Sequence, residues 1–144
     1  MKRFQIGSIA VAVMVLAATA ACAAVQEFTH FTMDIPEGWT AKEDGPTVGI
    51  IKDDQTASLA VSVDALHEGD TIKDLAAAMS KYMEGTTPEA DADGDYHFTA
   101  HDGQIQVIVT GDNDAGVYAA FTMVGLETQR EAIGGMISSI KFKK

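Results

Sequence analysis

The chain has 144 residues, 47% of them hydrophobic, and carries 10 Lys and Arg against 21 Asp and Glu for a formal charge of -11. Such a length and composition suit one globular domain, and the acidic balance argues against nucleic acid and anionic membrane surfaces as partners. Cys22 is the sole cysteine, so no internal disulfide exists and the apolar core must hold the fold.

Lys2 and Arg3 precede an apolar run from Ile9 to Leu16, which decays into Ala17-Ala18-Thr19-Ala20-Ala21-Cys22-Ala23-Ala24. A basic start, a short apolar middle and a small-residue end describe a secretory signal peptide. Residues 1–23 are expected to be removed, leaving 24–144 as a single mature domain in the periplasm or outside the cell. Two other fates are ordered behind cleavage. Lipid anchoring would use Cys22, although Thr19 stands where a lipoprotein signal usually has Leu. An uncleaved anchor would need the run to span a bilayer, for which its alanine-rich second half is weakly hydrophobic. Loss of Lys2 and Arg3 leaves 8 basic residues against 21 acidic ones, a formal charge of -13. No membrane span is expected in the mature chain.

Phe31, Met33 and Ile35 alternate with Thr32 and Asp34, the period of a strand with one buried face. Pro36-Glu37-Gly38 turns the chain, and Trp39 begins the return. Glu43-Asp44-Gly45-Pro46 and Lys52-Asp53-Asp54-Gln55 are further turns around a short strand at 48–51. Four strands joined this tightly must be largely antiparallel. The fourth is the most regular: Leu59, Val61, Val63 and Ala65 share one face, and Ser58, Ala60, Ser62 and Asp64 the other.

A helix follows. Asp70 or Thr71 offers an N-cap, and Asp74 suits the first turn. Ile72, Leu75, Ala76, Met79, Tyr82 and Met83 form its apolar stripe, and Gly85 with Pro88 ends it. Residues 86–95 read as an acidic loop. Strands at 96–101 and 104–110 flank Asp102-Gly103, a two-residue hairpin signal that sets Thr99 opposite Gln106 and His97 opposite Ile108. A third strand at 117–124, with Gly111 facing Gly116, would set Ile108 opposite Ala119. That strand is apolar on both sides and should be central, with 96–101 nearer an edge. A second helix over 127–139 turns Ile133, Met136, Ile137 and Ile140 inward, with Gly134-Gly135 permitting a close approach or a bend. Lys141-Phe142 is a short terminal strand. The expected fold is α+β: a mainly antiparallel sheet of six or seven strands flanked by helices on both faces. Its core should hold Leu59, Val61, Leu75, Met79, Phe121 and Ile137.

The alternating strand that ends in Pro36-Glu37-Gly38-Trp39 resembles the opening of the PsbP-like superfamily, including DcrB-like bacterial envelope proteins. The later order is similar too: a strand such as Leu59-Ala60-Val61-Ser62-Val63, a helix, a three-strand meander and a C-terminal helix. The resemblance covers nearly the whole mature chain as a pattern. It implies a PsbP-like sandwich with a non-catalytic accessory or binding role outside the cytoplasm, and it brings no catalytic residues.

No phosphate-binding glycine loop, metalloprotease helix or nucleophile elbow occurs. His97 and His101 share a strand face, but their Cα atoms would stand about 13 Å apart, too far for one zinc ion. The acidic positions offer more. The expected register sets Asp93 opposite Asp112, so Asp93, Asp95, Asp112 and Asp114 should crowd one end of the sheet, beside Asp91. Clustered carboxylates can supply the six to eight oxygens that calcium takes. Exposed acidic turns in an acidic protein are the plainer interpretation. Trp39, Tyr82, Tyr96 and Tyr118 read as structural. These residues lead to a secreted or periplasmic, non-catalytic accessory protein that binds a protein partner in the envelope, with no resident cofactor. The alternative is a divalent-cation or small-ligand binding protein using the acidic sheet end.

Overall fold

The computed structural model describes residues 24–143. The leader expected at 1–23, with Cys22, lies outside the described residues. The chain begins with β1 (Ala24–Glu27), β2 (Phe31–Ile35), β3 (Trp39–Asp44), β4 (Thr47–Lys52) and β5 (Ser58–Ala65). Helix α1 (Ile72–Met83) leads to β6 (Glu89–Ala90), β7 (Tyr96–Ala100), β8 (Ile105–Asp112) and β9 (Val117–Val124). Helix α2 (Leu126–Ser139) and β10 (Lys141–Phe142) complete the α+β fold.

Seven strands form one antiparallel sheet in the order β3-β4-β5-β9-β8-β7-β6, and three form a second in the order β1-β2-β10. The first strand expected in the main meander therefore belongs elsewhere. Gly38, at φ +89, and the bond from the Trp39 amide to the Pro36 carbonyl carry the chain from one sheet into the other. The physical reason is burial. Phe31, Met33 and Ile35 are at most 3% exposed because they face the large sheet instead of extending it.

Strand β9 separates two apolar clusters, as a strand with two buried faces must. Phe121 and Met123 join Phe31, Met33, Val48, Ile50, Leu59 and Val61 in the first. Ala120 joins Ile72, Ala76, Phe98, Val107 and Val109 in the second. Each fully buried aliphatic side chain contributes about 1.5–3 kcal/mol. Helix α1 packs on β7 and β8, while α2 packs on β2 and adds Leu126, Ile133 and Met136 to the first cluster.

Thr71 caps α1 in a capping box with Asp74. The buried positions are Ile72, Ala76 and Ser80, with Leu75, Met79 and Met83 half-buried beside them. Tyr82 is 90% exposed, so the helix is rotated toward Ser80 relative to the expected stripe. The Ser80 hydroxyl is satisfied by donating to the Thr86 carbonyl. The left-handed residue at the helix end is Glu84, at φ 56. Gly85 answers a different need, because a Cβ there would lie 2.6 Å from the Thr99 carbonyl oxygen of β7.

The β7–β8 register is the expected one, with His97 opposite Ile108 and Thr99 opposite Gln106. The β8–β9 register differs by two residues: Ile108 meets Phe121, and Gly111 meets Tyr118. Asp112 stays in the ladder, and its Oδ1 accepts the amides of Asp114 and Ala115 at 2.9 and 3.0 Å, which moves the turn forward. A shift of two preserves every side chain's face, so the core assignments survive it. In α2 the irregular residue is Gln129 (φ -122, ψ 25), not Gly134-Gly135, around which nothing lies within 4 Å. Leu59, Val61 and Phe121 are core residues; Leu75, Met79 and Ile137 sit at its margin.

Candidate binding cleft

Asp91 closes the β6–β7 connection: its Oδ1 accepts the amides of Asp93 and Asp95 at 2.8 and 3.0 Å, and its Oδ2 meets His97 Nε2 at 2.7 Å. The hydrogen bond from His97 is the largest influence holding the Asp91 carboxyl below its ordinary value, with the Asp95 and Asp93 amides acting the same way. The β7–β8 ladder stops at Tyr96 opposite Val109. Beyond it the chain folds back through β6, where Glu89 pairs with His97, so Asp93 does not continue opposite Asp112 as expected. Asp112 binds the amides of its own turn. Each of these two carboxylates is thus occupied in fixing a loop, the ordinary work of aspartate in tight turns. Among the described residues no group of three or more His, Cys, Asp or Glu side chains is placed to hold a metal ion. His101 lies in a turn at φ 51, apart from the Asp91–His97 pair.

The same β8–β9 turn shapes a different feature. Asn113 Oδ1 accepts the Ile72 amide at 2.8 Å, which fastens the turn to the first residue of α1. The Gly116 carbonyl accepts the Leu66 amide at 2.7 Å, tying it also to the end of β5. Gly111 is required here, because a Cβ would collide with the Val117 carbonyl oxygen. Tyr118 packs toward the α1 cluster, and burial, then the Asp64 charge, raises its hydroxyl pKa.

With the turn held from that side, Val63, Thr110, Asp112, Val117 and Ala119 line a cleft beside the small sheet, closed by His30, Phe142 and Lys143. Its volume is about 380 Å³. Ala119 is buried, Val117 is 44% exposed and Phe142 is 52% exposed, so apolar surface continues from the floor out to the rim. The small sheet is anchored at this point. The Lys143 amide donates to the His30 carbonyl at 2.9 Å, and Lys143 Nζ reaches Glu27 at 2.8 Å. Phe142 stands edge-on to the buried Phe31, with ring centroids 6.4 Å apart. An apolar hollow with a few polar groups at its margin suits binding of an apolar side chain or small body.

A second hollow of about 240 Å³, over β7 and β8, is polar: Thr86, Glu89, His97, Thr99 and Gln106 line it. No helix of the described residues is long and apolar enough to cross a membrane.

The cleft residues escaped the sequence reading. Lys141-Phe142 read only as a short strand. The available signal was Phe142 between lysines, an apolar side chain in a polar segment, but its neighbours come from β5, β8 and β9 and are unmarked in sequence.

No family model matches this chain, and no curated protein matches it. A crystal structure from Bacteroides thetaiotaomicron VPI-5482 is similar at 18% identity and a TM-score of 0.40, over 79% of this chain and 45% of that one. The chain thus spans less than half the length of that neighbour.

Proposed function

We propose that this chain is a non-catalytic accessory domain that acts outside the cytoplasm by binding a macromolecular partner, and that the cleft between Phe142 and Val117 is where the partner docks. The observation that carries the reading is the continuity of apolar surface from buried Ala119 to exposed Val117 and Phe142 around a cavity of about 380 Å³. Exposed apolar side chains at a concave site favour association, because each Å² of apolar surface removed from water contributes about 25 cal/mol. The surrounding packing supports it further. α1 packs on β7 and β8, α2 packs on β2, and the cleft lies beside the small sheet at His30, Phe142 and Lys143. The leader at 1–23 supports export, with Cys22 as the lipid-anchoring alternative.

The test places a photo-crosslinking amino acid at Val117 of the full chain, in the cells that make it, with the exposed α1 position Lys73 as the control site. A discrete adduct at Val117, identified by mass spectrometry and abolished by Phe142→Asp, is expected. Equal labelling from Val117 and Lys73 would overturn the reading.

A further inference from the structure

The geometry points to a strand-docking site: an extended peptide segment adds to the open edge of β10, lays an apolar side chain in the cleft beside Phe142, and sets acidic side chains against the lysines that flank it. This inference rests on the docking reading above and specifies the chemistry of the partner.

The main chain supplies the first part. β10 is the last strand in the order β1-β2-β10, so among the described residues no strand pairs with its outer edge. Lys141 pairs with Thr32 and Phe142 with Phe31, and the Lys143 amide donates to the His30 carbonyl. In an antiparallel ladder the main-chain groups alternate in direction. Lys143 and Lys141 therefore turn theirs toward β2, and Phe142 turns its amide and carbonyl outward. Nothing among the described residues pairs with those two groups. A strand edge of this kind accepts an extended segment through main-chain hydrogen bonds, while pockets for alternate side chains provide selectivity.

The side chains supply the second. Phe142 lies on the side of Phe31 and lines the cleft, so the incoming residue beside it also projects into the cleft. Lys141 falls on the other surface by alternation, and Lys143, which also borders the cleft, sends its Nζ to that surface. Cross-strand acid–base pairing already operates there, since Lys143 Nζ meets Glu27 at 2.8 Å, whereas Lys141 forms no ion pair with a described residue. Three of the chain's ten Lys and Arg fall in its last four residues, in a protein of formal charge -11. Lys143 is shared with Glu27 and Asp112 lines the cleft itself, so the attraction for an acidic segment falls on the outer surface at Lys141, against the largely acidic remainder of the protein. The recognised pattern is an apolar residue with acidic neighbours on both sides.

The experiment uses the purified mature chain and blocked heptapeptides, with affinity read by titration calorimetry. The first peptide alternates valine with glutamate. A second has the same sequence with the central valine amide methylated, and a third replaces glutamate with lysine. Decanoate serves as an apolar anion without a peptide backbone. The glutamate peptide is expected to bind saturably, the methylated one at least about tenfold more weakly, since one main-chain hydrogen bond and its geometry are lost. The lysine peptide should bind several-fold more weakly, with the gap narrowing at high salt. Lys141→Glu should shift preference toward the lysine peptide, and Phe142→Asp should abolish binding while the chain remains folded by circular dichroism. Equal binding of the methylated and parent peptides overturns strand addition. Failure of every peptide while the Val117 crosslink persists overturns strand addition but leaves the docking reading standing. Binding of decanoate alone, with no Val117 crosslink, overturns both.

Discussion

Replacing glycine by alanine should have opposite effects at two places in this protein, and the difference comes from tertiary contacts. At Gly85 the new Cβ would lie 2.6 Å from the Thr99 carbonyl oxygen and 3.0 Å from the Phe98 ring, where ordinary contact begins near 3.4 Å. The end of α1 must then move from β7 by roughly 0.8 Å, and overpacking of this kind costs about 1–3 kcal/mol. The same carbonyl accepts the Thr86 amide at 2.8 Å, so displacement also weakens a hydrogen bond worth about 0.5–1.5 kcal/mol. Reduced freedom of the unfolded chain returns about 0.4–1 kcal/mol. Gly85→Ala should therefore destabilise by about 1–3 kcal/mol. Gly134 and Gly135 lie in α2 with nothing within 4 Å of a Cβ, so alanine there should stabilise by about 0.5–1 kcal/mol at each site. Urea unfolding of the three variants at unchanged m-value reads these differences directly. A Gly85→Ala protein as stable as the parent would refute the close approach of α1 to β7. Loss of stability in both α2 variants would refute the open surroundings of that helix.

Leu59→Ala should cost about 2–5 kcal/mol, the range for a fully buried leucine, and Leu75→Ala less, because Leu75 sits at the margin of the second cluster; denaturant melts showing the reverse order would mean that α1 is rotated from the described phase. The Asp54 carboxyl is lowered from 3.8 to about 2, first by the Thr56 hydroxyl and then by Lys52. A folded pKa below the unfolded one means that this contribution is complete above about pH 4 and lost as the pH falls through about 2. Asp54→Asn should therefore flatten the acid limb of a stability–pH curve in that window, and an unchanged limb would contradict the Thr56 and Lys52 contacts. Intact mass of the exported protein should give a chain starting at Ala24 or Val25; a retained Met1 excludes cleavage, and a lipid adduct on Cys22 establishes the anchored form.

Local patterns in the sequence determined much of the secondary structure. The alternation of Leu59, Val61 and Val63, the Thr71–Asp74 cap and the Asp102-Gly103 turn each act within a few residues, and each element formed where its signal lies. Burial of β9 on both faces was equally legible, because no residue of Ala119-Ala120-Phe121 offers a polar side to water. Other outcomes depended on partners far away in the chain. β2 has the pattern of a meander strand, yet its hydrogen bonds go to β1 and to β10, over a hundred residues later. The β8–β9 register turned on where Asp112 could hold the amides of its loop, and the helix phase on a carbonyl that could accept from Ser80. The cleft belongs to the same class. Val63, Val117 and Phe142 look like ordinary strand residues in isolation, and only the stacking of one sheet on the other brings them around a common space. Periodicity states which side of a strand avoids water; it does not state which distant surface will cover that side or where the cover ends.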